Sequence, residues 1–293
     1  MHPLVTVVIP TYNRLALVQQ AIASVVAQTY PHWELIVADD GSDDGSAESL
    51  ATTTDPRIRI LALPHSGNVA LTRNAGARVA QGAWLAFLDS DDLWVPEKLE
   101  IQVSKMLRDN KRWGYGGFEL MDKDMRMIPN KAGAYHPFSG WIAKEVLTTE
   151  ASIAIGAILI ERKLFEDAGG FNSDPELLYR EDYELVLRLA LKAEALAIPD
   201  LLLRIREHGG RSTNAFEYGH DRTAFVYKYF LRQHPEKELA AIARKRLATS
   251  LAESAVQRIR QGKYSGALNR LGMALIHGDS LRHLVSVVLR GLK

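Results

Sequence analysis

Four short apolar runs rich in β-branched residues recur early in the chain, each followed by a segment of helical spacing. VTVVI (Val5 to Ile9), WELIVA (Trp33 to Ala38), IRILAL (Ile58 to Leu63) and WLAFL (Trp84 to Leu88) alternate with amphipathic stretches around residues 15–28, 44–51, 69–81 and 96–109. Parallel strands need crossovers, and crossover helices cover the faces of the sheet they join, so this pattern predicts an α/β fold: a Rossmann-like, mostly parallel sheet with helices on both faces. Ligands bind such sheets outside the carboxyl ends of the strands. Every run here ends in polar residues: Pro10-Thr11-Tyr12-Asn13, Asp39-Asp40-Gly41-Ser42, His65-Ser66-Gly67-Asn68 and Asp89-Ser90-Asp91-Asp92. The four ends should converge on one crevice.

Between about 111 and 150 the pattern breaks into Gly, Met, Lys and aromatic residues, which predicts strands and loops able to close over a ligand. IAIGAILI (Ile153 to Ile160) reads as a buried strand, then a helix over 161–168 stops at Gly169-Gly170. A strong amphipathic helix over Tyr179 to Ala193 starts with acids, where the helix dipole favours them. A short strand pair, ALAIP and LLLRIR, precedes helices that run to the end. The chain thus divides into an α/β unit, 1–215, and a C-terminal helical appendage, 216–293. The appendage holds a helical hairpin that turns at Gly262 and resembles a single tetratricopeptide-type repeat, and one copy makes no solenoid.

Cysteine is absent, which removes disulfides and thiolate chemistry. No run approaches a membrane span, and MHPLVTVVIP reads as a first core strand rather than a signal peptide. A cytoplasmic protein is expected, with a peripheral position at the inner face of the membrane as an extension of that reading. The net charge of +1 hides an asymmetry: residues 231–293 hold twelve Lys/Arg against four Asp/Glu, net +8, so residues 1–230 are net −7. The stripe Leu281, Leu284, Val285, Val288 and Leu292, flanked by Arg282, Arg290 and Lys293, would either pack on its own domain or lie on an anionic membrane.

The bland reading of Asp89-Ser90-Asp91-Asp92 is a turn or a helix cap. Three acids in four residues repel one another unless a cation or a ring of donors compensates them. Asp89 and Asp91 share parity, so both can face one side at a strand end. Oxygen-only ligands suit Mg2+ or Mn2+, which complete their shells with water and substrate phosphates. No GxGxxG follows the first strand and no GxxxxGK[ST] occurs, which disfavours dinucleotide-dependent dehydrogenases and P-loop NTPases. Tyr12 could stack on a base and Asp40 could accept a hydrogen bond from a base N–H, though each alone would be a turn residue.

VVIPTYNR, ELIVADDGSDDGS, GNVALTRNAGARVAQGAWLAFLDSDDLW, GAILI, AGGFN and REDYELVLRLA, in this order, resemble glycosyltransferase family 2, inverting sugar transferases of GT-A fold, over about residues 4–215. The resemblance implies that Pro10, Thr11, Tyr12 and Asp40 line a nucleoside pocket, with Asp39 supporting the base or ribose, and that Arg73 faces the nucleotide. Asp89 and Asp91 match the DxD motif, touching ribose and metal respectively, and Asp92 the acid that commonly follows. Asp182 matches the catalytic base, with Glu181 beside it, and His208 a histidine near diphosphate and metal. Ala38 before the first acids and Thr72 before Arg73 depart from the usual pattern, and 111–150 matches nothing assignable.

The implied partners are a nucleoside-diphosphate sugar, UDP favoured, and a saccharide or lipid-linked saccharide acceptor, with no nucleic acid. A rival nucleotidyltransferase would need a loop rich in glycine and basic residues right after the first strand, and VVIPTYNR has none. A second rival, a catalytically silent binding subunit, would tolerate loss of Asp40, Asp89, Asp91 and Asp182, and all four are present.

Overall fold

The structure, a computed structural model, describes residues 2–128, 137–207, 219–233, 235–277 and 281–292. The four predicted strands form as β1 (Val5–Thr11), β2 (Trp33–Asp39), β3 (Ile58–Ala62) and β4 (Trp84–Phe87), and they pair in parallel. With β5 (Leu93–Trp94), β6 (Trp113–Met121), β7 (Ile158–Glu161) and β8 (Ala195–Arg206) they make, among the described residues, one eight-stranded sheet ordered β3-β2-β1-β4-β7-β6-β8-β5. Only β7 and β5 run against the rest. The carboxyl ends of β1, β2 and β4 therefore share one edge.

Alternation along each strand feeds two cores. Val5, Val7 and Ile9 of β1 and Leu35 and Val37 of β2 face α1 (Leu15–Val26) and α4 (Lys98–Arg108). Val8, Ile36, Leu85 and Phe87 face the other way, toward α3 (Val69–Arg78), α6 (Arg162–Asp167) and α7 (Glu181–Lys192). Burial on both faces is why these strands read as continuous apolar runs. Short α2 (Ser46–Ala51) follows β2.

Three expectations change. In IAIGAILI only the end from Ile158 is strand, and Ile155–Ala157 form a 3-10 turn. Side chains have taken the carbonyls a ladder would use: Trp94 Nε1 donates to Gly156 O at 2.8 Å and Gln102 Nε2 to Ala157 O at 2.9 Å. ALAIP and LLLRIR are one strand, not a pair, because β8 stays paired with β6 and passes Pro199 and Asp200 in a register shift opposite Gly116 and Gly117. A bulge is where a strand tolerates a residue lacking an N–H. Within 111–150, β6 is joined by a helix the composition did not signal, α5 (Ala143–Thr148), anchored by buried Val146 and Leu147.

The C-terminal helices α8 (Gly219–Arg232), α9 (Lys237–Arg260), α10 (Tyr264–His277) and α11 (Leu281–Leu292) follow. Tyr227, Phe230, Leu247 and Leu251 share one apolar core with Leu185 and Leu189 of α7. Asp221 staples three of these helices: its carboxylate accepts from Ser254 Oγ at 2.7 Å and Arg258 Nη2 at 2.6 Å and pairs with Arg270 at 2.7 Å. The predicted turn lies at Gly262, at φ +74°. Of the predicted stripe, Val288 packs on the core and Val285 is exposed; the side chains of Leu281, Leu284 and Leu292 lie outside the description. No helix among the described residues is long and apolar enough to cross a membrane.

The approach of α3, which carries Arg73, to β1 depends on Gly76, where an added Cβ would lie 2.5 Å from Val8 Cγ1. Overpacking there should cost about 1–3 kcal/mol. We expect Gly76→Ala to lower the denaturant midpoint and Val8→Ala to restore part of the loss in the double variant. Simple additivity of the two losses would show that the contact is not the cause.

Candidate active site

The strand ends meet in a cleft of about 440 Å³ walled by Pro10 and Thr11 at the end of β1 with Tyr12 beyond it, Asp40 after β2, Asp89 to Asp92 after β4, Arg73 on α3, and Glu181 and Asp182 at the start of α7. Local chemistry explains how each wall is held. The loop after β1 is tied to the loop after β2 by a reciprocal pair: Asn13 Nδ2 donates to Asp43 Oδ1, and the Asp43 N–H to Asn13 Oδ1, both at 2.8 Å. Asp44 accepts the Leu15 N–H at the start of α1 at 3.1 Å. Asp39 is buried, accepts from Ser42 and does not line the cleft. Of the four acids in ADDGSDDGS, Asp40 alone among the described residues forms a wall of the cleft.

Asp40 is itself framed by the loop after β3. Its carboxylate accepts the Ser66 N–H at 3.0 Å and the Gly67 N–H at 2.9 Å, with His65 Nδ1 at 3.0 Å. The His65 ring stacks on Tyr12, centroids 4.1 Å apart, leaving Tyr12 41% exposed at the mouth. Asn68, at the N-cap of α3, accepts the Ala70 N–H at 3.0 Å and donates to Ser173 O at 2.9 Å.

The opposite wall hangs on Arg73. Its guanidinium is buried, donating to Asp89 Oδ1 at 2.5 Å and Glu181 Oε1 at 2.7 Å, with the Phe171 ring 5.2 Å away. Burial alone would favour the neutral guanidine, but Asp89 and Glu181 hold it above the ordinary arginine value. Burial, with Asp182 adjacent, pushes the Glu181 carboxyl up against the pull of Arg73. Beneath, Gly169 and Gly170 adopt φ +86° and +67°, open to glycine and rare for other residues. Asn74 grips the turn at Phe171 through both N–H and carbonyl, and Arg188, paired with Glu184, donates to Gly170 O at 2.7 Å. AGGFN is thus the socket for α7. Tyr179, in the cleft wall, is held at φ +66° under the Arg222 guanidinium, a strained position for a bulky residue.

Asp91 receives Arg14 Nη1 at 2.5 Å. Asp92 is turned to structure as well as cleft: it accepts the Arg206 N–H at 3.0 Å, tying the end of β8 to the DSDD turn. His208 lies outside the described residues. Arg14, His65, Asn68 and Tyr179 also line the cleft and were given no individual role from the sequence: Arg14 closes VVIPTYNR, His65 and Asn68 lie in the polar end of the third run, and Tyr179 opens the predicted helix, and those positions were the available signal.

The model of Glycosyl transferase family 2 matches residues 6–124. The chain carries a family 2 glycosyltransferase domain. Over 121 residues it is 39% identical to the UDP-Glc:alpha-D-GlcNAc-diphosphoundecaprenol beta-1,3-glucosyltransferase WfgD of Escherichia coli, covering 41% of this chain and 48% of WfgD. Over 124 residues it is 39% identical to the putative teichuronic acid biosynthesis glycosyltransferase TuaG of Bacillus subtilis, covering 42% and 49%. The matches thus span about half the length of these relatives. Among solved structures it is similar to S. aureus TarS 1-349 in complex with UDP-GlcNAc, with a TM-score of 0.70 at 16% identity over 98% of this chain and 89% of TarS 1-349. The mannosyltransferase PcManGT of Pyrobaculum calidifontis, in complex with GDP-Man and Mn2+, gives 0.60 at 20% identity over 100% and 88%. At these identities the likeness is one of fold, and the fold is the GT-A glycosyltransferase fold.

The Glu181 shift has a sign that can be tested. A carboxyl whose pKa rises on folding contributes stability that is complete below its unfolded value and is lost as pH rises through the folded value. Glu181→Gln cannot lose that contribution, so the variant should gain thermal stability relative to the wild type as pH rises above the usual carboxylate range. A difference in melting temperature that is flat from acid to neutral pH would remove burial as the dominant influence on this acid.

Proposed function

We propose that the family 2 domain transfers a sugar from a nucleoside diphosphate sugar, UDP favoured, to an acceptor hydroxyl with inversion at the anomeric carbon. The acceptor would be a saccharide or lipid-linked saccharide of cell-surface polysaccharide or glycolipid synthesis. The observation that carries this reading is the meeting of Asp40, Asp89, Asp91 and Asp182, from three separate segments, around one cleft. The glycosyltransferase activities by which WfgD and TuaG are named and the UDP-GlcNAc in complex with TarS 1-349 support the donor and acceptor classes.

Tyr12 and Asp40 form the nucleoside end in this reading: an exposed aromatic face for stacking, and a carboxylate fixed by the Ser66 and Gly67 N–H groups, whose contacts with the Ser66 hydroxyl at 2.8 Å and His65 Nδ1 at 3.0 Å a base N–H would replace. Thr11 Oγ1 is buried without a partner and adds a hydroxyl at the same end. Asp89, between Arg73 and the cleft, suits a ribose hydroxyl.

The donor set at the next wall fits a hard divalent cation. Asp91 already holds a cationic group, Arg14, and Asp89 lies two residues away. Among the described residues no group of three His, Asp or Glu forms a cage. Mg2+ or Mn2+ takes one or two carboxylates and fills its shell with water and phosphate oxygens, so two acids suffice. Asp91 with Asp89 would hold such an ion, which when bound neutralises charge gathering on the departing diphosphate. Arg14 and Arg73 place fixed positive charge at the same wall.

Glu181 and Asp182 divide the remaining work by environment. Glu181 is buried on Arg73 and braces the wall. Asp182 is half-buried at the cleft, its Oδ1 accepting the Tyr183 N–H at 2.7 Å, which orients the carboxylate and leaves Oδ2 to take the acceptor proton as general base.

Two substitutions separate these roles. Asp91→Asn should abolish transfer without unfolding the protein, and chelator should do the same to the wild type; undiminished turnover in excess EDTA would defeat the metal assignment. Asp182→Asn keeps shape but removes proton acceptance, so kcat should fall by roughly 10²- to 10⁴-fold with nucleotide affinity nearly intact. Parallel loss of nucleotide binding would make Asp182 a donor-site residue.

A further inference from the structure

The outward face of α10 lacks the polar cover of a surface helix. Ala267 and Ala274 are buried against the neighbouring helices, and Arg270 turns in to Asp221. Facing out are Tyr264 at 65% exposure, Leu268 at 70%, Leu275 at 53% and Ile276 at 80%, accompanied by Ser265, Asn269 and Gly272. No charged residue stands among these seven, whereas a helix that borders water presents charge on that side. On α11, Val285 and Leu289 add 46% and 58% exposed side chains. Scattered exposed leucines need no explanation; a helix face made of them marks a contact surface.

The charge around the face selects the occupant. Arg260 and Lys263 are exposed at the turn that opens α10, Tyr264 stands beside them, and Arg290 is exposed next to Leu289. The segment 231–293 carries net +8 on a chain that is otherwise net −7. Apolar side chains bordered by lysine, arginine and an aromatic ring at the margin match the boundary between acyl chains and anionic headgroups. At 1.5 Å per residue α10 is ~21 Å long, too short to span a bilayer core of ~30 Å, so it would lie along the surface.

We infer that the exposed face of α10, extended by Val285 and Leu289 of α11, is a docking surface for an anionic lipid bilayer. This rests on the helices alone and is independent of the sugar-transfer reading. Basic residues draw the helix to the headgroups, and Leu268, Leu275 and Ile276 enter the acyl boundary.

The test uses the full chain and vesicles of phosphatidylcholine with or without phosphatidylglycerol. Phosphatidylglycerol vesicles should bind the protein, phosphatidylcholine vesicles far less, and added salt should weaken the binding. Leu268→Glu with Ile276→Glu should reduce it by at least about tenfold, because two exposed apolar side chains no longer enter the bilayer. Arg260→Glu with Lys263→Glu should reduce it comparably. Both pairs sit at exposed positions, and an unchanged melting temperature shows that the fold survives. Equal binding to both vesicle types, binding to neither, or indifference to Leu268→Glu with Ile276→Glu would overturn the proposal. Self-association without lipid that this same pair erases, together with no vesicle binding, would assign the face to a second copy of the chain and overturn it too.

Discussion

The cleft stands on one buried guanidinium. Arg73 leaves α3, reaches Asp89 at the end of β4 and Glu181 at the first turn of α7, and so joins three elements far apart in sequence. A buried cation is costly unless paired and hydrogen-bonded, and each acid here would be costly without it. The arrangement is stable only as a set: three carboxylates, Asp89, Glu181 and Asp182, share a wall with one arginine. This explains why Glu181 is pushed toward its protonated form although it touches Arg73. The same crowding leaves the wall short of positive charge, and a ligand that brings a cation to Asp89 and Asp91 would relieve it.

Around that centre the acids fall into two kinds. Asp39, Asp44 and Asp92 accept backbone N–H groups or hydroxyls, Asp43 accepts the Asn13 side-chain amide, and all four shape the loops. Asp40, Asp91 and Asp182 present carboxylates to the cleft. The division follows strand geometry. At the end of β2, Asp39 is the last ladder residue, paired with Thr11, and its side chain folds under the following loop; Asp40, one residue on, turns to the opening. Adjacent acids with the same chemistry thus acquire different tasks from the two-residue period of a strand.

That period also decides what could be read from residues alone. The strands and helices of the first half were legible because a parallel sheet buried on both faces needs unbroken apolar runs, and the crevice followed because its polar ends lie on one edge. The cleft's acids were legible as motif positions. Legibility failed where side chains replace the ladder or a bulge carries the chain on: Trp94 and Gln102 capture the carbonyls before β7, and Pro199 is carried through β8. It failed as well for Arg14 and His65, whose importance comes from partners distant in sequence. Arg14 meets Asp91, and His65 meets both Tyr12 and Asp40. No local pattern contains such a pairing.

The C-terminal helices show a related limit. Charge counting located a basic segment, and the apolar spacing near its end drew attention to residues 281–292. Once folded, Val287 and Val288 of that stretch face the core, and the larger uncovered surface belongs to α10. The reason lies in packing against α9. Helix α10 turns its small residues, Ala267 and Ala274, inward for close approach beside Met273, while Leu268, Leu275 and Ile276 point out. A helix that buries alanine and exposes leucine inverts the usual assignment of hydrophobic residues to the core. Folding of this chain alone gives no reason for that inversion, since burying Leu268 or Ile276 would contribute more stability than burying alanine. Its physical rationale therefore lies in a surface outside the chain, one able to accept apolar side chains beside positive charge.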